Sequence, residues 1–248
     1  MTKRMRPLTA QQIVRIWEIG QSQHPLDRAL TLLTFACPEQ SPGNLATLSI
    51  GQRDGYLLHL RELTFGNKLN SFATCPHCGE KLESTMQVSD FRLVELQPPT
   101  TQEYTCHISG YDLRFRLPNS WDLAAIVGQQ NVLQAKSLLE QRCLLQASYD
   151  GQVVTYPQLP PEIIQQLSNL MADCDPQAEI LLKFDCLACE HVWKLVFDIG
   201  TFFWTELTAQ ARRLLQEVHV LARFYHWREV DILAMSTTRR QLYLSLVS

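Results

Sequence analysis

Cys75-Pro76-His77-Cys78 and, far downstream, Cys186-Leu187-Ala188-Cys189 are the two stretches that decide the fold of this chain. In each stretch two residues separate two cysteines, and this spacing lets both thiolates reach one metal ion at about 2.3 Å. Two such pairs supply the four thiolates of a tetrahedral structural site. We therefore predict that Cys75, Cys78, Cys186 and Cys189 bind one metal ion, with zinc preferred to iron.

Four cysteines fill the coordination sphere of such an ion and leave no position for water. We therefore expect the metal to stabilise the fold and to take no part in catalysis. His77 and His191 lie beside the two cysteine pairs. Because four thiols are available, we expect both histidines to be exposed loop residues and not ligands.

The residues around each cysteine pair predict a β-hairpin. Gly79, directly after the first pair, can adopt the left-handed conformation that such a turn needs. Apolar and polar residues largely alternate in residues 82–88, and short apolar runs flank the second pair at residues 180–184 and 192–197. This pattern is typical of a zinc ribbon, here with its two halves far apart in the sequence.

Thiol chemistry is the main alternative for the first pair. Cys-Pro-His-Cys is also the active-site tetrapeptide of periplasmic disulfide oxidases with a thioredoxin fold. Those enzymes place the reactive cysteine at a helix N-terminus, which lowers its pKa, whereas the residues after Cys78 predict a turn and a strand. A redox role would also leave the second pair unexplained.

The composition is that of an ordinary globular chain. Its 248 residues are 46% hydrophobic, enough to bury a sizeable core. No run approaches the ~18 apolar residues of a membrane span, and no apolar signal segment follows Met1. We therefore expect a protein without a membrane span that stays in the cytoplasm where it is made, with its eight cysteines reduced.

Four further cysteines occur singly among apolar neighbours, and free cysteine usually behaves as a small buried hydrophobe. We expect these in the core: Cys37, Cys106, Cys143 and Cys174.

The formal net charge of −3 gives no electrostatic footprint for nucleic acid. A nucleic-acid-binding zinc ribbon is the second alternative, since zinc ribbons often have that role. Such a protein would use arginines such as Arg212, Arg213, Arg239 and Arg240.

Taken together, the patterns predict an α+β fold with a zinc-ribbon-like β core split by a mainly helical insertion, between helical N- and C-terminal parts. The predicted segments are an N-terminal helical unit at 1–66, a first ribbon half at 67–96, an inserted hairpin plus helices at 97–177, a second ribbon half at 178–199 and C-terminal helices at 200–248.

Apolar spacing and capping residues predict three N-terminal helices. The first runs from Ala10 to Ile19 after the cap Thr9, the second from about Pro25 to Cys37, and the third from near Ser49 to Phe65 with Gly66 as its stop. Pro38, followed by Ser41-Pro42-Gly43, is expected to end the second helix.

In the insertion, the turn-rich residues 97–101 predict a boundary. Residues 104–117 alternate as a β-hairpin with one polar face, where Arg114 and Arg116 are expected to face solvent. Three helices should follow, opening at residues 118–122, spanning about Asn131 to Ser148, and running from residues 160–162 to about residue 175.

The C-terminal part carries the clearest amphipathic stripe, formed by Leu207, Ala211, Leu214, Val218, Leu221 and Tyr225. Trp204 is expected just before that helix. Ser236 or Thr237 should cap a last helix with an apolar face at Leu242, Tyr243 and Leu246. Such faces usually belong to the core, although a terminal helix of this kind can also dock a partner.

Sequence motifs of the common enzyme classes are absent. There is no Gly-rich phosphate loop, no His-Glu-x-x-His zinc motif, no Gly-x-Ser-x-Gly nucleophile elbow and no dinucleotide fingerprint. We therefore predict no enzymatic activity and no small-molecule substrate.

The order of several short motifs resembles the phage T4-type baseplate protein family, which is also labelled baseplate hub assembly chaperone. Besides both cysteine pairs, the resemblance rests on Pro25-Leu26-Asp27-Arg28-Ala29, Gly51-Gln52-Arg53-Asp54, Leu60-Arg61-Glu62, Phe65-Gly66, Arg116-Leu117-Pro118-Asn119-Ser120, Phe197-Asp198-Ile199, Arg213-Leu214-Leu215-Gln216-Glu217-Val218-His219, Trp227, Asp231-Ile232-Leu233 and Arg239-Arg240.

This resemblance implies a role in forming the baseplate of a contractile phage tail or of a related contractile injection system. The baseplate is the platform that joins the tail tube and spike hub to the sheath. The implied partners are baseplate hub, spike or wedge proteins. The implied locations are the bacterial cytoplasm during assembly and the baseplate of the mature particle. The family supplies no catalytic residues.

Overall fold

The structure is a computed structural model that describes residues 5–91 and 102–247, and it has the predicted α+β character. The helices of this part of the chain are α1 (Ala10–Gly20), α2 (Pro25–Ala36), α3 (Pro42–Ala46), α4 (Ile50–Phe65), α5 (Ser120–Ile126), α6 (Val132–Cys143), α7 (Pro161–Cys174), α8 (Ile199–Tyr225), α9 (Glu229–Ala234) and α10 (Thr237–Ser245).

The strands form three antiparallel sheets, two with two strands and one with four. Their bounds are β1 (Lys68–Thr74), β2 (Lys81–Gln87), β3 (Glu103–Ile108), β4 (Tyr111–Arg116), β5 (Leu144–Tyr149), β6 (Gln152–Val153), β7 (Leu181–Asp185) and β8 (Val192–Val196). The sheets have the strand orders β1-β2, β3-β4-β5-β6 and β7-β8.

The N-terminal helices begin and end at the predicted capping residues. The Thr9 hydroxyl accepts a 3.2 Å hydrogen bond from the Gln12 amide, while the Gln12 side chain accepts one of 2.9 Å from the Thr9 amide. Ser49 and Gln52 form the same capping box at the start of α4, and a cap of this kind contributes about 1 kcal/mol. Gly66 ends α4 with φ 89°, which favours glycine.

The short helix α3 was not predicted. Residues 41–43 were expected only to help end α2, but they start α3. The Ser41 hydroxyl accepts a 3.2 Å hydrogen bond from the Asn44 amide, and Pro42 lies in the first turn, where its missing amide hydrogen costs nothing. The Ser-Pro-Gly stretch therefore caps α3, whereas α2 ends earlier, at Ala36.

Helix α8 is longer than its stripe indicates. It begins at Ile199, after Asp198, whose carboxylate accepts hydrogen bonds from the Thr201 amide (3.1 Å) and hydroxyl (2.7 Å). Trp204, expected just before the helix, therefore lies inside it. The stripe itself is confirmed, since these predicted positions are buried: Leu207, Ala211, Leu214, Val218 and Leu221.

Helix α8 is the centre of the larger hydrophobic core. It packs against α1, α2, α4, α9 and α10. Both cysteine hairpins reach this core, through Leu69 and Val88 on the first and Ile180 and Leu182 on the second. Full burial of one such side chain contributes roughly 1.5–3 kcal/mol relative to exposure. The N-terminal helices, the C-terminal helices and the bases of both hairpins thus share one core.

The insertion contains a four-stranded sheet, where a hairpin plus helices was predicted. Helix α6 ends at Cys143, and residues 144–148, predicted as helix, belong to strand β5. Strand β5 pairs with β4 along its length, for example at Leu113↔Ala147. Residues such as Leu144 and Ala147 favour helix locally, so the pairing with β4 and the burial of Ala147 override their propensity.

A second core lies between this sheet and α7. It is formed by apolar side chains of the sheet and α7, with one residue from the end of α6 and one from the loop before α7: Ile108, Leu113, Phe115, Cys143, Ala147, Leu159, Ile163, Leu167 and Met171.

The insertion is anchored on the start of α4. The Ile50 amide donates to the Pro118 carbonyl (3.1 Å), and the Gly51 amide donates to the Asp175 carboxylate (2.9 Å). The Gln177 side chain also donates to the Phe91 carbonyl (2.9 Å). Backbone and side-chain groups therefore fix the insertion against the helical part.

The C-terminal end differs from prediction in two ways. Helix α9 was not predicted, and of the expected apolar face of α10 only Tyr243 packs on the core. Leu242 is 61% exposed and Leu246 is 68% exposed. Helix α10 is held instead by a buried charged side chain, that of Arg240, which is described below.

The single cysteines are only partly buried. Cys143 lies in the core, Cys37 and Cys106 are half-buried, and Cys174 is exposed, contrary to expectation. Cys174 is the last residue of α7, and its side chain is exposed at that helix end.

The predicted boundary at residues 97–101 and the limit between residues 96 and 97 lie outside the described residues. None of the helices in residues 5–91 and 102–247 is long and apolar enough to cross a membrane.

Candidate metal centre

The two cysteine pairs lie in the turns of two hairpins, between β1 and β2 and between β7 and β8. In the first turn the Cys75 amide donates to the Glu80 carbonyl (2.8 Å) and the Gly79 amide donates to the Cys75 carbonyl (3.0 Å). The residues after Cys78 are therefore turn and strand, as predicted, and they contain no helix N-terminus.

The second turn repeats this geometry. The Cys186 amide donates to the His191 carbonyl (2.9 Å) and the Glu190 amide donates to the Cys186 carbonyl (2.8 Å). Glu190 stands where the first turn has Gly79, and both have positive φ, 56° and 77°. The two turns are thus equivalent in hydrogen bonding, although only one has the glycine that favours this conformation.

The fold brings all four sulfur atoms together, within 4.8 Å of one another. Between the two pairs, Cys75 Sγ lies 3.7 Å from Cys189 Sγ and Cys78 Sγ lies 3.6 Å from Cys186 Sγ. A tetrahedron with metal–sulfur bonds of about 2.3 Å has sulfur–sulfur edges of about 3.8 Å. The cluster therefore has the composition and size to hold one metal ion.

The thiols of the cluster differ in acidity. Burial raises the pKa of Cys75, but the backbone amides of Cys78 and His77 favour its thiolate, so its pKa falls to about 7. The His191 amide lowers the pKa of Cys189, but burial and the other thiols raise it to about 12. One thiol of the cluster thus ionises easily, whereas negative charge on one sulfur opposes ionisation of the others. A bound divalent cation would neutralise this repulsion between thiolates.

Aromatic rings line the two turns. The ring centroids of His77 and His191 are 5.6 Å apart, those of His191 and Trp193 5.9 Å, and those of Trp193 and Phe184 5.5 Å, all in stacked orientation. His77 is exposed and His191 half-buried. The two histidines thus stack across the hairpins, a contact that was not predicted because both were expected to be exposed loop residues.

Arg116 is not a solvent-facing residue as expected. Its guanidinium forms two hydrogen bonds of 2.5 and 2.9 Å to Asp122, and the Arg142 Nε donates to the same carboxylate (2.8 Å). Asp122 is fully buried. Arg114 is exposed, as predicted, and bonds Glu103 at 3.2 Å. Arg116 therefore helps to hold α5 and α6 on β4.

The arginines of the nucleic-acid alternative are divided between two environments. Arg240 is buried and donates to Glu217 (2.9 Å), and Arg213 pairs with the same carboxylate (3.3 Å). Arg240 cannot neutralise a phosphate without giving up this buried ion pair, whereas Arg213 is exposed. Arg212 and Arg239 are exposed. Of the four arginines named for nucleic-acid binding, one is therefore buried in an ion pair and three are exposed.

Comparison with known families places the chain beside baseplate proteins. A family model described as T4 bacteriophage base plate protein matches residues 2–204, which include both cysteine pairs. No curated protein and no solved structure matches the chain.

Proposed function

The chain belongs to the T4 bacteriophage base plate protein family, and we propose that it is a non-enzymatic building block of the baseplate of a contractile tail, held in shape by one zinc ion. A baseplate protein is part of the phage particle and interacts with other baseplate components. The observation that carries the proposal is the family match over residues 2–204. The same assignment would hold in a contractile injection system, which has an equivalent baseplate.

The metal proposal is supported by the convergence of Cys75, Cys78, Cys186 and Cys189. Cys-x-x-Cys pairs in hairpin turns, with four sulfur ligands, are typical of structural zinc sites, so zinc is proposed in preference to iron. The ion would supply folding free energy, because the two hairpins meet at their turns while their strands belong to separate sheets. In this proposal residues 67–96 and 178–199 are the two halves of a zinc ribbon.

The remaining segments would supply the binding surfaces. In this proposal the N-terminal unit at 1–66, the insertion at 97–177 and the C-terminal helices at 200–248 keep fixed relative positions because the ribbon and the shared core connect them. Their partners would be hub, spike or wedge proteins. The protein would enter the particle during assembly in the bacterial cytoplasm.

A non-enzymatic role suits the chemistry of the cluster. Four cysteine ligands leave no open metal position for a substrate or a water molecule. A thiol oxidoreductase would need one cysteine pair free to form a disulfide with a substrate. In this chain both pairs lie in one cluster, with approaches of 3.7 and 3.6 Å between cysteines of different pairs, which suits shared metal binding.

The test is the presence of the chain in purified particles. The tagged chain is expressed from its native locus, intact contractile particles are purified by sedimentation, and its ratio to the spike protein is measured by quantitative mass spectrometry. A fixed ratio supports a baseplate building block. Absence from particles, with hub or spike subunits captured from the soluble lysate, would instead make the protein a hub assembly chaperone. Absence from both overturns the proposal.

A further inference from the structure

The second cysteine hairpin has an open face with an unusual arrangement of charge. Strands β7 and β8 place three cross-strand pairs on this face, which we call the β7–β8 outer face: Leu181↔Val196, Lys183↔Lys194 and Asp185↔Val192. All six side chains are exposed. The opposite face carries Phe184 and Trp193, which stack on each other.

The two lysines lie directly opposite each other at the middle of the face. Like charges in directly opposed cross-strand positions destabilise a sheet. Lys183 is partly compensated by Asp185, 3.4 Å away. Lys194 has no ion-pair partner among residues 5–91 and 102–247. The free chain therefore carries one uncompensated cation next to a second one.

Apolar side chains frame this cation pair. Leu181 is 49% and Val196 is 62% exposed at the base of the hairpin, Val192 is 51% exposed near the turn, and Leu187 at the tip is 95% exposed. An exposed apolar surface with charge at its centre is typical of a protein-binding site, where the partner supplies the opposite charge and excludes water.

The hairpin also has free backbone edges. Strands β7 and β8 form a sheet of two strands, so within the described part of the chain the outer side of each strand has no strand neighbour. A two-stranded hairpin is only marginally stable, and an extended segment of a partner can add to such an edge.

The first cysteine hairpin has the same turn but lacks a pair of opposed cations, so the turn geometry does not require the lysine pair of the β7–β8 outer face. Its exposed face pairs Lys68 with Gln87, Asn70 with Thr85, Phe72 with Glu83 and Thr74 with Lys81. No two cations oppose each other there. The first hairpin is therefore a matched internal control, with the same turn and cysteine arrangement but a different outer face.

We propose that the β7–β8 outer face docks an extended segment of another baseplate subunit, in which a carboxylate flanked by apolar side chains lies against Lys183 and Lys194. This inference rests on the proposed function. The carboxylate neutralises Lys194, and the apolar neighbours of that carboxylate cover Leu181 and Val196.

The test is site-specific photocrosslinking in cells that assemble the particle. A benzophenone amino acid replaces Val196 in the full-length chain, or Phe72 on the first hairpin as the control, since Phe72 is also exposed. After irradiation, mass spectrometry identifies the crosslinked peptide. We expect the Val196 position to crosslink to an acidic and apolar segment of another tail subunit, and the Phe72 position not to crosslink to that segment.

Charge reversal gives the second readout. Lys194→Glu should lower the crosslink yield from position 196 by about tenfold, because it places two carboxylates face to face. Lys194→Arg should retain the crosslink, and Lys81→Glu on the first hairpin should leave it unchanged. Equal metal content in all variants shows that the hairpins remain folded.

Three results would overturn the docking inference while the chain remains present in particles: no adduct at position 196, an adduct that joins two copies of this chain, or a yield insensitive to Lys194→Glu. If the chain is found neither in particles nor with soluble tail subunits, the proposed function itself fails, and the docking inference fails with it.

Discussion

Cys75 Sγ lies 3.7 Å from Cys189 Sγ, although 114 positions separate these residues in the sequence. Cys78 and Cys186 approach in the same way on the other side of the cluster. Each cysteine of the first turn thus meets one of the second, so that removing a single thiol leaves a site with one incomplete turn.

The first prediction concerns this cluster. Cys75→Ser should lower metal affinity at least about 100-fold. Loss of a residue that only hydrogen-bonds a metal ligand lowers affinity about 10–100-fold, and loss of a ligand itself should cost more. Metal content of the purified chain, measured by inductively coupled plasma mass spectrometry, should fall well below one ion per chain. Thermal unfolding should shift to lower temperature, and chelation should shift the parent in the same direction.

Cys174→Ser is the matched control, because Cys174 is exposed and lies outside the cluster. It should keep the parental metal content and unfolding temperature. A Cys75→Ser chain that retains one tightly bound ion would contradict the four-cysteine site.

The second prediction concerns the contact between α4 and the insertion. A Cβ atom on Gly51 would lie 2.8 Å from Asp175 Cγ and 2.9 Å from the Ala178 backbone nitrogen, and would disturb the hydrogen bond from the Gly51 amide to Asp175. Gly51→Ala should therefore lower the free energy of unfolding by about 1–3 kcal/mol, measured by urea denaturation.

Gly128→Ala provides the comparison, because no atom lies within 4 Å of a Cβ built there and its φ is not in the left-handed region. Its free energy of unfolding should stay within about 0.5 kcal/mol of the parent. If Gly51→Ala and Gly128→Ala lowered the free energy of unfolding equally, a clash with Asp175 could not be the cause of the destabilisation.

The third prediction concerns the buried carboxylate of Asp122. Burial alone would raise its pKa, but hydrogen bonds from Arg116, the Asn119 amide and Arg142 hold the pKa below its ordinary value of 3.8. Asp122→Asn leaves two arginines without their anion, and should cost about 3–5 kcal/mol at pH 7 in urea unfolding.

The pH dependence follows from the direction of this shift. Because the folded-state pKa of Asp122 is lowered, its stabilising contribution is complete above pH 3.8 and is lost as the pH falls through the folded-state value. The difference in unfolding free energy between parent and Asp122→Asn should therefore shrink on acidification below pH 3.8. A difference that stays constant down to pH 2 would contradict the ionised state assigned to Asp122.

Most of the correct predictions from the sequence were based on helix-capping residues and on the spacing of the cysteines. The Thr9 and Ser49 caps and the Gly66 stop are local signals, and the structure has helix ends at or beside them. The pairing of two Cys-x-x-Cys stretches needs only the stereochemistry of a four-thiolate cluster. A helix cap depends on a few neighbouring residues. A four-thiolate site depends on metal stereochemistry, whatever the length of the chain between the two cysteine pairs.

The errors arise where a distant partner decides the local structure. Residues 144–148 were predicted as helix because their strand pairing with β4 is invisible without the sheet. Arg116 was predicted to face solvent because its partners Asp122 and Arg142 belong to α5 and α6. Leu242 and Leu246 were predicted as an apolar core face, whereas a buried charge on the same helix holds α10 in place.

The last prediction concerns that charge. Glu217 of α8 accepts hydrogen bonds from Arg240 (2.9 Å) and Gln241 (2.7 Å) of α10, and Arg240 also donates to the Met235 carbonyl (2.6 Å). The exposed Leu242 and Leu246 add little to this attachment. Glu217→Gln should therefore loosen α10 specifically, because it leaves the buried guanidinium without its anion.

Limited proteolysis distinguishes local release from global unfolding. In Glu217→Gln, cleavage between α8 and α10, for example after Arg228, should accelerate about tenfold or more, while the metal content and the unfolding temperature of the main core change little. Leu242→Ala is the control and should leave the cleavage rate unchanged. Equal cleavage rates for the parent and Glu217→Gln would show that apolar contacts such as those of Tyr243, and not the Glu217–Arg240 pair, hold the C-terminal helix.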